Sequence, residues 1–535
     1  MASTHTPIQG SERKPLPGAV ATGRANANAI IEVSVKVRRK KPLPELTGRP
    51  TTVMTRAQLR DTYGASQADL DTVAGALGTF GLTVVKSDPA TRTVRLRGTV
   101  AAMESAFQVK LFNYSHESGN YRGRVGAVQI PTALKDIVVG VFGLDNRRIA
   151  RRRRQPPRDN PQAGSSQGSI SSQFGAHYNF PSGNGSGQAV GLLEFGGGYF
   201  PSDLQLFCSM ANISPVPKVT PVSADGTPTN SKDGAEGEVM LDIEVVAGVC
   251  TAANIVVYFA DWSEQGWITN LDTAVQDQTN NPGVLSVSWG SPEDTDIWTA
   301  SAMTQINETL NDAANIGVTV CVAAGDDGSS DADTDGQAHV DFPGSSPYAL
   351  AVGGTTVVNM APGQTDIVWF EGDGLRADNG GSTGGGVSSV FPLPSWQSNI
   401  NIPSVNQGAG TGRVVPDLAA NADWVASPYL LVVDGQAQPN GGTSAASPLV
   451  ASLLTLINAS RAAAGQTRVG YITPVLYQAS GSGVATVGSV GCTDVVSGKN
   501  NTATAGGYSA GPGYDAASGW GTPNGTALAQ ALPVP

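Results

Sequence analysis

Between Arg147 and Arg154 six of eight residues are arginine (RRIARRRR), and no hydrophobic core can hold six neighbouring guanidinium groups. The chain therefore has to divide there. The Pro, Gly, Ser and Gln that follow extend the run, over residues 147–172, into an exposed linker open to proteases. Charge changes sign across it: residues 1–160 hold 26 of the 33 Lys+Arg and 12 of the 44 Asp+Glu, net +14, whereas residues 161–535 hold 7 and 32, net −25. A basic block of this kind is the ordinary mark of a nucleic-acid or anionic-lipid surface. No aromatic interleaving or nucleic-acid signature accompanies it here, and no apolar run approaches the ~18 residues of a membrane span. The acidic piece is the more telling one. With only 7 Lys+Arg, His177 and His339, it gains little positive charge when its carboxylates are protonated, which suits a fold that works in acid.

A length of 535 residues predicts one large and one small domain. Residues 1–27 are polar and rich in Pro and Gly, and read as a disordered tail. Residues 28–146 read as a compact α+β unit. The β-branched run 30–40 is a strand, Ser66 with Asp69 caps a helix carrying Leu70, Val73, Ala74 and Leu77, strands follow at 82–86 and 93–100, and a helix spans about 101–111. Residues 173–535 alternate apolar runs (189–194, 255–260, 284–288, 318–324, 349–352) with helical patterns at 236–249 and 304–314. That predicts an α/β fold with a mostly parallel sheet covered by helices on both faces, and functional residues at the carboxyl ends of its strands. Cys208, Cys250, Cys321 and Cys492 form no CxxC pair, which argues against zinc and leaves their pairing open. The N-terminus carries no apolar signal-peptide stretch, so export needs another route or a segment upstream of this sequence.

The chemistry concentrates in GGTSAASP, residues 441–448. Two glycines permit a tight turn, and Ser444 opens an apolar helix running to about Ala463, as either a nucleophile or a helix cap. A serine nucleophile needs a base. His177 and His339 lie in no HGT-type turn, so carboxylates are the better candidates. In AEGEVMLDIEVVAGV, Glu238 and Asp242 stand at i and i+4 on one helix face, close enough to share a proton.

Together with the AAGDDG loop carrying Asp326, these motifs resemble the sedolisin (serine-carboxyl peptidase) family, its kumamolisin-like members in particular. The likeness extends over LLEFGGGY (192–199), SVSWGSPE (286–293), HVDFPGSSPYALAVGGT (339–355), GRVVPDLAANAD (412–423) and AGPGYD (510–515). It implies a subtilisin-like catalytic domain at 173–535. Residues 28–146 become a ferredoxin-like propeptide that chaperones and inhibits the enzyme in cis. The resemblance further implies an acid-active endopeptidase made as a zymogen that processes itself at about 155–172. Ser444 matches the nucleophile, Glu238 the general base, Asp242 its supporting carboxyl and Asp326 the oxyanion donor. Glu194 and Trp289 match an extension of the hydrogen-bond chain, and Asp341, Ser288 and Gly290 match substrate-binding positions. One structural Ca²⁺ is implied, held by Asp494 and Asp515 carboxylates and by the Val495, Gly511 and Gly513 carbonyls. Expected partners are protein and peptide substrates, with no nucleic acid and no membrane, for a secreted monomer. Two alternatives stay open: a neutral subtilisin-type protease using His177 or His339, and a catalytically silent binding protein on the same scaffold. The charge split suggests an electrostatic clasp between propeptide and enzyme that acid weakens.

Overall fold

The structure, a computed structural model, describes residues 5–50, 52–149, 151–152, 168–378, 380–481 and 485–533. The N-terminal unit is built on a four-stranded antiparallel sheet of β1 (Ile30–Val37), β2 (Thr83–Asp88), β3 (Thr93–Thr99) and β4 (Val138–Phe142), in the order β2-β3-β1-β4. Helices α1 (Arg56–Tyr63) and α2 (Gln67–Gly78) lie between β1 and β2, and α3 (Val100–Phe107) lies between β3 and β4. Ser66 caps α2 by accepting from Asp69 N, and Leu70, Val73 and Leu77 turn into a core shared with Val33, Val35, Leu96 and Phe107. Helical spacing thus supplied the buried face, as the sequence predicts.

Residues 5–27 are ordered, which corrects the expectation of a disordered tail. His5–Pro7 pairs with Gln129–Pro131, and Val20–Arg24 pairs with Phe112–Ser115. Gly10 O accepts from Ser301 N at 2.9 Å, and buried Arg13 lies 2.9 Å from Glu264. A polar segment with little apolar content of its own is held here by backbone pairing and by charge from the larger domain, neither of which its composition reveals.

The larger domain carries an eight-stranded sheet. Its parallel strands are β5 (Ala189–Phe195), β6 (Lys218–Ser223), β7 (Asn254–Ala260), β8 (Val284–Val287), β10 (Thr319–Ala323), β11 (Leu350–Thr356) and β12 (Leu418–Asn421). They run β6-β7-β5-β8-β10-β11, with β12 and the antiparallel Ile367–Val368 both joined to β11. The short β9 (Trp289–Pro292) leaves the end of β8 and stands outside this sheet. Helices α4 (Glu236–Val249) and α7 (Thr443–Ala463) pack on one face with Leu192, Val257 and Val352. Helices α5 (Glu264–Gln276) and α6 (Ala300–Asn315) cover the other, against Leu193, Val256 and Leu285. Both faces are therefore dry, which is why these strands read as continuous apolar runs. All four cysteines are free thiols. No described helix is long and apolar enough to cross a membrane.

The small domain sits on α5 and α6 through ion pairs, those of Asp272 and Asp312 buried and that of Glu308 partly exposed. Lys36 Nζ lies 2.7 Å from Asp272, Arg39 Nη1 2.9 Å from Asp312, and Arg92 Nη2 2.7 Å from Glu308. Arg56 instead donates to carbonyls, those of Val275 (2.6 Å) and Pro282 (3.0 Å), and to Asn281.

The arginine run does not start as an exposed linker. Arg147 is buried, with Nε and Nη2 on Asp145, and Ile149 N donates to Trp262 O at 2.8 Å. The Arg148 guanidinium stacks 3.4 Å from the Trp262 ring centre. Arg151–Arg152 then pairs antiparallel with Gly290 and Trp289 of β9. Residues 153–167, which include most of the expected processing region, lie outside the described residues; Ser171–His177 forms a helix.

Candidate active site

The predicted residues converge at the carboxyl ends of β5, β8 and β10 and at the start of α7. Glu194 is the last residue but one of β5, Ser288 and Trp289 follow β8, Asp326 follows β10, and Ser444 is the second residue of α7. Glycines make this start possible. Gly442 has φ +100°, and a Cβ on Gly441 would come within 2.5 Å of Ala422 O. Ser444 Oγ is aimed at Ser288 O, 3.4 Å away.

Helix α4 presents Glu238 and Asp242 on one face, both at 0% exposure. Asp242 Oδ2 accepts a 2.6 Å hydrogen bond from Ser288 Oγ, and Glu194 Oε2 accepts a 3.0 Å bond from Trp289 Nε1. The carboxyls of Glu194, Asp242 and Glu238 influence one another's charge. Burial, and next the negative charge of neighbouring carboxyls, push Glu194 and Asp242 well above the usual carboxylate range. Such a cluster can ionise only in part, so it holds protons at a pH where isolated carboxylates have lost them.

Asp326 is also fully buried. Its Oδ1 accepts from Thr443 N (2.8 Å) and Thr443 Oγ1 (2.6 Å), while Oδ2 has no hydrogen-bond partner among the described residues. Burial lifts this carboxyl to about 6, against the pull of the Arg376 cation. Asp341 is buried as well, and a Cβ on Gly290 would fall 1.9 Å from its Oδ1, so only glycine fits there. Neither histidine reaches Ser444. His177 bonds Asp366 (2.8 Å) and Ala361 O (2.9 Å), and His339 bonds Asp294 (2.6 Å) and Asp335 (3.1 Å).

Thr443 and Arg376 were not singled out from the sequence. Thr443 adjoins the serine within the motif, but Arg376 lies far from Asp326 along the chain in a segment without pattern. Glu244 looked like one more acid of α4; it is buried, accepts from Val432 N at 2.8 Å, and is pushed well above the usual range by burial.

Family models match the chain in two places: the pro-kumamolisin activation domain over residues 17–147, and the subtilase family over residues 225–508. Kumamolisin of Bacillus sp. (strain MN-32) is 39% identical, across 98% of this chain and 96% of that protein. The chain belongs to the sedolisin peptidases. Sedolisin of Pseudomonas sp. (strain 101) is 28% identical over 97% of this chain and 89% of its own length. A solved Pseudomonas sedolisin bound to pseudo-iodotyrostatin superposes with a TM-score of 0.58 at 28% identity, covering 69% of this chain and 98% of that one. Membership makes this sedolisin a serine-type peptidase with a kumamolisin-type activation domain, and the activation match beginning at residue 17 agrees with the ordered N-terminal segment.

Two places could hold a metal ion. Asp333, Asp335 and His339 bring three ligand atoms within 4.8 Å of one another. The pair expected for calcium is different: Asp494 Oδ2 accepts from Gly513 N (2.8 Å) and Asp515 Oδ2 from Gly511 N (3.1 Å). Asp494 Oδ1 is buried without a hydrogen-bond partner among the described residues, and hard anionic oxygen of that kind fits Ca²⁺.

Proposed function

We propose that this sedolisin is an acid-active endopeptidase in which Ser444 attacks the scissile carbonyl, Glu238 takes the proton of its Oγ, and Asp242 supports Glu238. The observation that carries the reading is the run of buried carboxyls Glu194, Asp242 and Glu238 beside a serine at a helix start, with no histidine in reach. Protons held between Glu194 and Asp242, steadied by Trp289, leave the negative charge to Glu238. After attack, protonated Asp326 and backbone N–H groups hold the oxyanion by hydrogen bonds, and protonated Glu238 passes its proton to the leaving amine. Water then releases the acyl group from Ser444.

Asp341, Ser288 and Gly290 are proposed to line the substrate strand along β9. Arg151–Arg152 already pairs with that strand, which supports a propeptide that passes through the cleft before cleavage. The strand order β2-β3-β1-β4 with its intervening helices supports a ferredoxin-like propeptide. Asp494, Asp515 and the Val495, Gly511 and Gly513 carbonyls are proposed to hold Ca²⁺, which would tie the C-terminal loops together. Secretion is proposed from kinship alone.

A donor Asp326 must be protonated, so turnover should fall as pH rises through about 6. The test is incubation of the full chain across pH 3–8 with product masses recorded, beside Ser444→Ala. The parent should process itself only in acid, and Ser444→Ala should stay at 535 residues while folded. Processing by Ser444→Ala, or an optimum above pH 7, would overturn the assignment.

A further inference from the structure

Asp326 and Asp327 are consecutive and face opposite ways. Asp326 is bound by Thr443 at the start of α7, whereas Asp327 receives Arg376: backbone N on Oδ1 at 2.9 Å, and Nε and Nη2 on Oδ2 at 2.9 and 2.5 Å. Two backbone bonds seal the same contact, Ser382 N to Asp326 O (3.0 Å) and Gly384 N to Gly325 O (2.9 Å). The Arg376 side chain is 19% exposed and that of Asp327 is 3% exposed, so the pair works in a poorly screened place.

We propose that the Arg376–Asp327 ion pair positions the oxyanion-side loop and sets the pH above which Asp326 stops donating. The inference rests on Asp326 being the oxyanion donor. Charges reach this carboxyl from three sides. Asp327 and Asp331 belong to its own loop, and Asp341 to the short strand Asp341–Phe342 paired with β9; a Cβ on Gly325 would lie 3.5 Å from both Asp331 Oδ1 and Asp341 Oδ2. Arg376 comes from the segment that also carries Glu371 and Asp373, and Thr443 brings only neutral donors. Arg376 favours ionised Asp326, and Asp327 opposes it. As a bonded pair they largely cancel. Removing either member shifts that balance in its own direction, so the two single neutralisations must act with opposite sign.

The test is the pH profile of kcat and kcat/KM for the self-processed enzyme on a chromogenic peptide. Arg376→Gln should move the alkaline limb up by about 0.5–1 pH unit, and Asp327→Asn should move it down by a similar amount. The double variant should return it close to the parent, and Arg376→Lys, which keeps the charge, should hold it in place with KM little changed. A role confined to holding the loop would lower kcat in both single variants without opposed shifts. Limbs that stay put, or move the same way, overturn the proposal. If Arg376→Gln fails to process itself, the downward shift in Asp327→Asn decides. Asp326→Asn separates the two levels: loss of activity or of the alkaline limb upholds the donor, whereas an unchanged limb overturns the donor reading itself.

Discussion

At the contact between the propeptide and α5–α6, buried carboxyls meet cations: Asp272 with Lys36, Asp312 with Arg39, Glu264 with Arg13. Around Ser444 they meet one another, Glu194 against Asp242 with Glu238 alongside. Both arrangements remove acid from water, yet they answer pH differently. A carboxyl pushed up by burial and like charge favours the folded state while it holds its proton. That contribution is present below its unfolded value near 4 and is lost as pH rises through the higher folded value. The carboxyl cluster beside Ser444 is thus most at ease in acid and strained at neutral pH.

Ion pairs give no such simple rule. Asp312 is pushed up by burial in spite of Arg39, so it does not behave as a simple paired carboxylate held below its ordinary range. Acid release of the propeptide is therefore proposed to come from the diffuse attraction between a +14 and a −25 piece, not from this pair.

The contrast can be broken at several points. The largest effect is expected from Asp242→Asn, which removes a shared proton site and should lower kcat by about 10²–10⁴ with the propeptide still docked; activity within threefold of the parent would remove Asp242 from the machinery. Next is Lys36→Met, which leaves Asp272 buried without its cation and should weaken docking by about 3–5 kcal/mol at pH 7. Its readout is self-cleavage beginning at a higher pH, and an unchanged onset would mark the pair as neutral to docking. Trp289→Phe deletes the donor that lowers Glu194. A drop of about tenfold in kcat should follow, with the acid limb of the profile shifted upward. The smallest effect is that of salt: 1 M NaCl at pH 7 should speed propeptide release a few-fold, since screening reaches exposed charge but not the buried pairs. No salt effect would remove the diffuse attraction from the account.

Legibility in the sequence followed physical locality. Glu238 and Asp242 could be read because a helix repeats every 3.6 residues, whereas Asp326 is legible only through the likeness of its AAGDDG loop to the family. The order of residues 5–27 could not, since Gly10 and Arg13 are held by Ser301 and Glu264 from a distant part of the chain. The first arginines of the linker misled for the same reason: Arg148 looks exposed until the distant Trp262 ring stacks against it. Arg376 became visible only once segment 376–384 lay against the loop it serves.

The strand Arg151–Arg152, laid along β9, has one more consequence. A peptide tethered in its own cleft meets the nucleophile at a local concentration fixed by the tether, in the millimolar range for short connections, roughly. On the proposed self-processing, the first bond broken is a unimolecular event. Its half-life is a property of a single molecule, indifferent to dilution and to competing substrate, whereas every later turnover obeys the crowd.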